Sequence, residues 1–383
     1  MPDHLTRWLL TDGTLIQGLD QLLQATSTHL RHMGIPVDRS FVGTVIPHPQ
    51  VAGIGAVYEH PTKSSRTLEV SHERFETMRH ADRSPMGQVF HTGRSMRAFL
   101  EGGQTHQMED LIDLSEQGYT DYLACPLMLG GKIEGVIAFS TMRGGGFEDE
   151  QLAALEATTP ALTSVIRHQV QERVQLTLLK NYLGADAGTR VHTGDVRRGD
   201  SQNLRAAILL ADLRGYTAAS SDHQPEVILS LLNEVFEVCV RHIQKSHGQV
   251  LKFLGDGLLA IFSNAPANIA CDRALKAAQF MHRDISELNQ RRIRAQRPAL
   301  DLGVGLHYGD VLYGNMGAPS RMDFTVIGSA VNIASRIENL ASILDERILT
   351  STAFAQIVGT ELKSCGTHPL KGIRQPVEVF TIP

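Results

Sequence analysis

Two stretches, LRAAILLADLRGYT (204–217) and QVLKFLGDGLLAIF (249–262), decide how the second half of this 383-residue chain folds. The first opens with a near-continuous apolar run, the pattern of a strand buried on both faces, and ends on Asp212. The second divides at Gly-Asp-Gly into two short apolar runs, which predicts a hairpin with Asp256 in its turn. Between them Val227, Leu231, Val235, Cys239 and Ile243 recur on one helical face, so Cys239 reads as a core residue. A second amphipathic helix carries Ala270, Ala274, Ala277, Ala278, Met281, Ile285 and Leu288. LDLGVGLHYGDVLYG (300–314) reads as another hairpin, NIASRIENL (332–340) as a short helix, and strand-like segments follow near 347–350, 361–364 and 377–382. Strand, helix, hairpin, helix, strand is the split order of a ferredoxin-like fold.

Upstream, VAGIGAVYEH (51–60), TDYLACPLML (120–129) and KIEGVIAFS (132–140) are strand-like, the last two joined by Gly130-Gly131 in a predicted hairpin. GGGFEDEQLAALEATT (144–159) opens a helix with acidic residues in its first turn. Thr159-Pro160 fits the N-cap and first position of a new helix. On it, Leu162, Ile166, Val170, Val174 and Leu178 form one apolar stripe, read either as packing on its own domain or, preferred, as a dimer-forming connector. GADAGTRVHTGDVRRGDSQN (184–203) has the composition of a domain boundary. The expected class is α/β (α+β), with a sensor or dimerisation domain at 1–160, a helical connector and linker at 161–203 and a catalytic domain at 204–383.

Composition narrows the function. Thirty-six basic against 41 acidic residues leave a formal charge of −5, without a Lys/Arg block, so neither nucleic acid nor an anionic membrane is an expected partner. Cys125, Cys239, Cys271 and Cys365 have no pairing pattern for zinc or disulfides, and no apolar run is long enough to span a bilayer. A cytoplasmic location is expected. His29, His32, His48, His60, His72, His80, His91 and His106 lack metal-ligand spacing and read as surface and loop residues. Cys125 reads as core, and His307 in a hairpin strand as structural.

Asp212 and Asp256, at the ends of neighbouring strands, suit hard divalent cations completed by phosphate oxygens. The Gly-containing turn after Asp212 leads into a helix start whose free N–H groups could hold phosphate. Asn332 and Arg336, four apart, share a helix face where an amide and a guanidinium can hold a sugar oxygen and a phosphoryl group. Singly, each of these, like Lys252 and Lys371, would pass for an ordinary turn or surface residue.

Their joint order changes this reading. ADLRGYT, VLKFLGDGLLAIF, GVGLHYGDVLYGNMG, DFTVIGSAVNIASRIE and LKGIRQPVEVF, in sequence over 204–383, closely resemble the class III nucleotidyl cyclase catalytic domain. The strand hairpin followed by GF-x-D-E-x-L-A-x-L resembles the end of a GAF domain. The first resemblance implies metal binding by Asp212 and Asp256 (two Mg²⁺ or Mn²⁺ per site) and base selection by Lys252 and Thr325, the Thr-type subgroup. It further implies transition-state roles for Asn332 and Arg336 and terminal-phosphate binding by Lys371. It implies a homodimer with active sites shared across the interface, and conversion of ATP to 3′,5′-cyclic AMP and pyrophosphate in signal transduction. Guanylate cyclase and a catalytically silent nucleotide-binding scaffold are the alternatives. The GAF-like domain has an unidentified small-molecule ligand or serves only to dimerise.

Overall fold

The computed structural model describes residues 2–49, 51–60, 62, 64–78, 80, 84–101, 108–216, 220, 224–297 and 299–383, the side chains of residues 2 and 3 excepted. His106 and residues 217–219 and 221–223, which follow the Asp212 strand, lie outside the described residues. The chain divides into two compact units, Met1–Leu178 and Leu179–Pro383.

The first unit is an antiparallel sheet of β1 (Arg39–Val45), β2 (Val51–Glu59), β3 (Ser64–Ser71), β4 (Met96–Phe99), β5 (Asp121–Leu129) and β6 (Lys132–Thr141), in the order β3-β2-β1-β6-β5-β4. Its helices are α1 (Pro2–Leu10), α2 (Leu19–His32), α3 (His72–Met78), α4 (Pro85–Thr92), α5 (Glu109–Glu116) and most of α6 (Asp149–Leu183). The β5–β6 hairpin turns at Gly130-Gly131, both at positive φ, as the sequence predicts. Alternation sorts the side chains: Leu123, Cys125, Leu127, Ile137 and Phe139 join α2 and α6 in one core, while Tyr122, Ala124, Val136 and Ala138 pack with α4 and α5 in another.

Two expectations fail here. Thr159-Pro160 starts no helix, because α6 runs through it. Proline cannot donate to the Glu156 carbonyl, and the Thr159 hydroxyl takes that bond at 2.8 Å, which keeps the turn satisfied. Nor are Leu162, Ile166 and Val170 a free dimer seam: all three are buried in the first unit's own core, against which Val174 also packs.

The second unit begins with the end of α6 and α7 (Ala185–His192), then β7 (Ser201–Leu213), α8 (Pro225–Lys245), β8 (Gln249–Leu254), β9 (Gly257–Phe262), α9 (Ala267–Arg294), β10 (Leu302–Ala318) and β11 (Arg321–Ile327). It closes with α10 (Ser329–Ile343), β12 (Ile348–Ser351), α11 (Thr352–Ala355), β13 (Lys363–His368) and β14 (Val377–Thr381). Sheet order is β13-β14-β12-β10-β7-β9-β8, with β11 paired to β10. The β10-β7-β9-β8 portion has the ferredoxin-like arrangement. As expected, β7 is buried on both faces: Ala207, Leu209, Ala211 and Leu213 meet α8 and α9, and Ala206, Ile208 and Leu210 face the opposite way. On α8, Ile228 is buried in place of the exposed Val227.

The segment 300–314 is no hairpin but the first part of one 17-residue strand, β10, paired with β7 from Leu302↔Leu213 to Gly314↔Ser201. Its glycines serve close approach rather than turning. A Cβ at Gly305 would lie 2.5 Å from the Glu338 backbone nitrogen, and one at Gly309 2.8 Å from the Ala330 Cβ. α10 therefore lies directly on β10. The stretch read as a linker, 184–203, is likewise ordered. Ala187 is buried beside Phe324, and the Asp186 carboxylate accepts from both Tyr313 Oη and Arg190 Nε at 2.9 Å.

Trp8, the only tryptophan, packs against the first unit's core and reports on it alone. Ile166→Asp places an unpaired charge in that core and should cost about 3–5 kcal/mol. Urea unfolding followed by Trp8 fluorescence is expected to show the loss; an unchanged midpoint would contradict the packing of the stripe.

Candidate active site

Antiparallel pairing places Asp212 opposite Gly257, next in chain to Asp256. Gly255 and Asp256 form the two-residue turn of the β8–β9 hairpin, and Gly255 sits at φ 72°, where an L side chain would be strained. Gly257 is constrained differently: a Cβ there would lie 2.6 Å from an Asp212 carboxylate oxygen. The Asp212 carboxyl group lies close enough to that of Asp256 to feel its charge. Burial, then the charge of Asp256, push its pKa up to about 6.

A third carboxyl group faces this pair. Glu338 on α10 is pushed up to about 7, first by burial and then by the charge of Asp212, with Asp256 adding and Arg214 opposing. Arg214, two residues beyond Asp212, ties the end of β7 to its surroundings. It donates to Asp301 at 3.1 Å, Asp345 at 3.2 Å, the Ala341 carbonyl at 2.9 Å and the Glu346 carbonyl. Neither residue stood out in the sequence. Their only signal was position, within DLRG and two residues after Arg336, and their roles depend on through-space packing.

Lys252 on β8 pairs with Asp323 on β11, Nζ to Oδ2 at 2.5 Å. Thr325, two residues on, is buried, and its hydroxyl oxygen has no hydrogen-bond partner among the described residues. Asn332 and Arg336 stand exposed on one face of α10, while Ile337 is fully buried on another. Lys371 is exposed in a turn before Gly372, next to the buried Leu370. The structure thus brings together Asp212 with Asp256, Lys252 with the Asp323–Thr325 strand, and Asn332 with Arg336. Among the described residues no hydrogen bond or ion pair joins the three groups. His307 is set apart: its Nδ1 lies 2.7 Å from Ser351 Oγ, and burial lowers its pKa to about 4, leaving a neutral imidazole in the sheet.

Two carboxyl groups held against each other's charge fit a divalent cation, which relieves that repulsion. Among the described residues no group of three or more His, Cys, Asp or Glu side chains is placed to hold a metal. An ion at Asp212 and Asp256 would complete its shell with water and phosphate oxygens. In the first unit, a cavity of ≈ 100 Å³ lies between the sheet and α3 and α4, lined by Phe41, Gly43, Gly55, Phe75, Met86 and Phe90. No helix among the described residues is long and apolar enough to cross a membrane.

Residues 200–383 match the family model of the adenylate and guanylate cyclase catalytic domain. Residues 17–167 match that of the GAF domain. The chain joins a GAF domain to a nucleotide cyclase catalytic domain. An adenylate cyclase of Anabaena cylindrica is 34% identical over 146 residues, 38% of this chain and 29% of the relative. The terminal-differentiation-specific adenylate cyclase of Dictyostelium discoideum is 30% identical over 193 residues, 49% of this chain and 9% of the relative. The chain spans less than half the length of these relatives. A solved structure of a bacterial light-regulated adenylyl cyclase is similar in fold, with a TM-score of 0.51 at 21% identity, covering 68% of this chain and 85% of that one.

The raised carboxyl of Asp212 makes a stability prediction. A carboxyl group whose folded pKa exceeds its unfolded value binds its proton more tightly when folded, so its contribution to stability is lost as pH rises from 3.8 to about 6. Asp212→Asn should therefore raise the thermal midpoint of the cyclase unit at pH 8 in EDTA, with the gain shrinking toward zero near pH 4. A lower midpoint at pH 8 would contradict the strained pair.

Proposed function

We propose that this protein is an adenylate cyclase, converting ATP to 3′,5′-cyclic AMP and pyrophosphate under the control of its GAF domain. The observation that carries this reading is the mutually repelling Asp212–Asp256 pair at adjoining strand ends of a cyclase fold. A bound divalent cation, two per site in this reading, would lower the pKa of the ribose 3′-hydroxyl and neutralise phosphate charge. Asp212 and Asp256 would hold it. The new bond forms between the 3′-oxygen and the α-phosphorus, the α–β bridging bond breaks, and the hydroxyl proton passes to water or a substrate phosphate. Arg336 faces the charge that develops on the α-phosphate, Asn332 orients the ribose, and Lys371 meets the terminal phosphates.

Lys252 donates to the adenine ring nitrogen N1. Guanine carries an N–H donor there, so the lysine favours ATP. The separation of the residues into three groups supports a homodimer, with each site drawing its aspartates from one chain and its base, ribose and phosphate contacts from the other. The first unit would supply the regulatory input, through a small ligand or through dimerisation.

Steady-state assays of the purified chain with Mn²⁺ test the reading. ATP is expected to be used at least about tenfold more efficiently than GTP, since an unpaired buried polar group costs about 1–3 kcal/mol. Asp212→Ala should abolish turnover with the fold retained. Preference for GTP would make it a guanylate cyclase, and nucleotide binding without turnover would make it a silent scaffold.

A further inference from the structure

We propose that Arg214 positions the reacting groups of two active sites at once: the aspartates of one through the end of β7, and Asn332 and Arg336 of the other through the end of α10. This rests on the shared homodimeric site proposed above and adds the residue that links its two copies. The β7 side is fixed twice. The Arg214 N–H donates to the Asp301 carbonyl at 3.0 Å, which carries the β7–β10 pairing one step past Leu213↔Leu302, and the guanidinium donates to the Asp301 carboxylate at 3.1 Å. Asp212 lies two residues back on the same strand. The α10 side is the C-terminus of the helix. There the Glu346 N–H bonds back to the Ala341 carbonyl at 2.9 Å, and Asp345 takes φ 56° at the position that usually falls to glycine. Arg214 braces this turn through the Ala341 carbonyl at 2.9 Å, the Asp345 carboxylate at 3.2 Å and the Glu346 carbonyl. The last carbonyls of a helix lack partners within it and carry the negative end of its dipole, so a guanidinium there stabilises a turn that has no glycine.

Arg336 lies five residues before Ala341, about 7.5 Å along the axis, and Asn332 about one turn earlier. The helix rests on Gly305 and Gly309 without intervening side chains, so displacing its C-terminus carries the amide and the guanidinium with it. In a site shared across a dimer, Asp212 and Arg336 of one chain serve different sites. The side chain that joins their supports, only 14% exposed, thereby serves both. Lysine cannot replace it in full, because a single ammonium lacks the fork that reaches a carboxylate and two carbonyls together.

Mixed dimers separate the two roles. When Asp256→Asn chains are mixed with Arg336→Ala chains, the working site takes its aspartates from the Arg336→Ala chain and its α10 from the Asp256→Asn chain. Arg214→Gln is then added to one chain or the other. On the Arg336→Ala chain it is expected to raise the Mn²⁺ concentration for half-maximal activity at least about threefold. On the Asp256→Asn chain it should lower kcat at saturating Mn²⁺ at least about tenfold, with the Mn²⁺ requirement unchanged. Without metal or nucleotide, hydrogen exchange of the Arg214→Gln chain should be faster in both 208–214 and 335–346 and unchanged in 267–294. Arg214→Lys should recover part of each loss, and it carries the same comparisons if the glutamine variant does not fold. Identical kinetic changes from both placements, as a general loosening would give, overturn the proposal, as does an effect from one placement alone. Unchanged exchange in either segment overturns it too. A parent mixture without recovery overturns the shared site itself and this role with it; no Arg214 variant enters that control, so the two failures are told apart.

Discussion

The antiparallel register that sets Asp212 opposite Gly257 presses two carboxyl groups together at the end of the central strand, and much of the second unit serves to hold them there. Like charges in a half-buried setting repel, so the pair survives only if the backbone leaves it no room to separate. Gly257 supplies the space for the Asp212 carboxylate, and Gly255 allows the two-residue turn that brings Asp256 beside it. Arg214 then ties the end of β7 to the residues around Asp301, Ala341 and Glu346. Glu338 adds a third acidic group, so the local field favours cations and protons.

The second constraint is the close seating of α10 on β10. Gly305 and Gly309 remove the side chains that would keep helix and strand apart, and Ala330 and Ala334 keep the helix face thin. With its buried side fixed in this way, α10 turns Asn332 and Arg336 outward together. The same glycines misled the reading of 300–314 as a hairpin. A glycine in an apolar run signals a turn or a close approach with equal force, and only the partner helix decides between them.

Elements whose cause is local were legible: the Gly130-Gly131 and Gly255-Asp256 hairpins, the helix over 267–294, and a central strand apolar on both faces. Elements whose cause is distant were not. The helix passes Pro160 because a neighbouring threonine satisfies the carbonyl that proline leaves free. Residues 184–203 have a linker's composition yet are ordered by Tyr313 and Phe324, more than 120 positions away. Of the candidate site, the residues with motif signals were named from sequence. Asp323, Glu338 and Arg214 matter through contacts that no local pattern encodes.

If one working site draws side chains from two chains, as proposed above, subunit mixing reveals it. Asp256→Asn and Arg336→Ala chains, each inactive alone, are combined after subunit exchange has been verified with differently tagged chains. In a mixed dimer one site carries both defects, while the other joins the intact aspartates of one protomer to the intact arginine of its partner. Recovery of activity, up to one working site per mixed dimer, is the expected result. Verified exchange with no recovery would contradict the shared site and return all of these residues to a single chain.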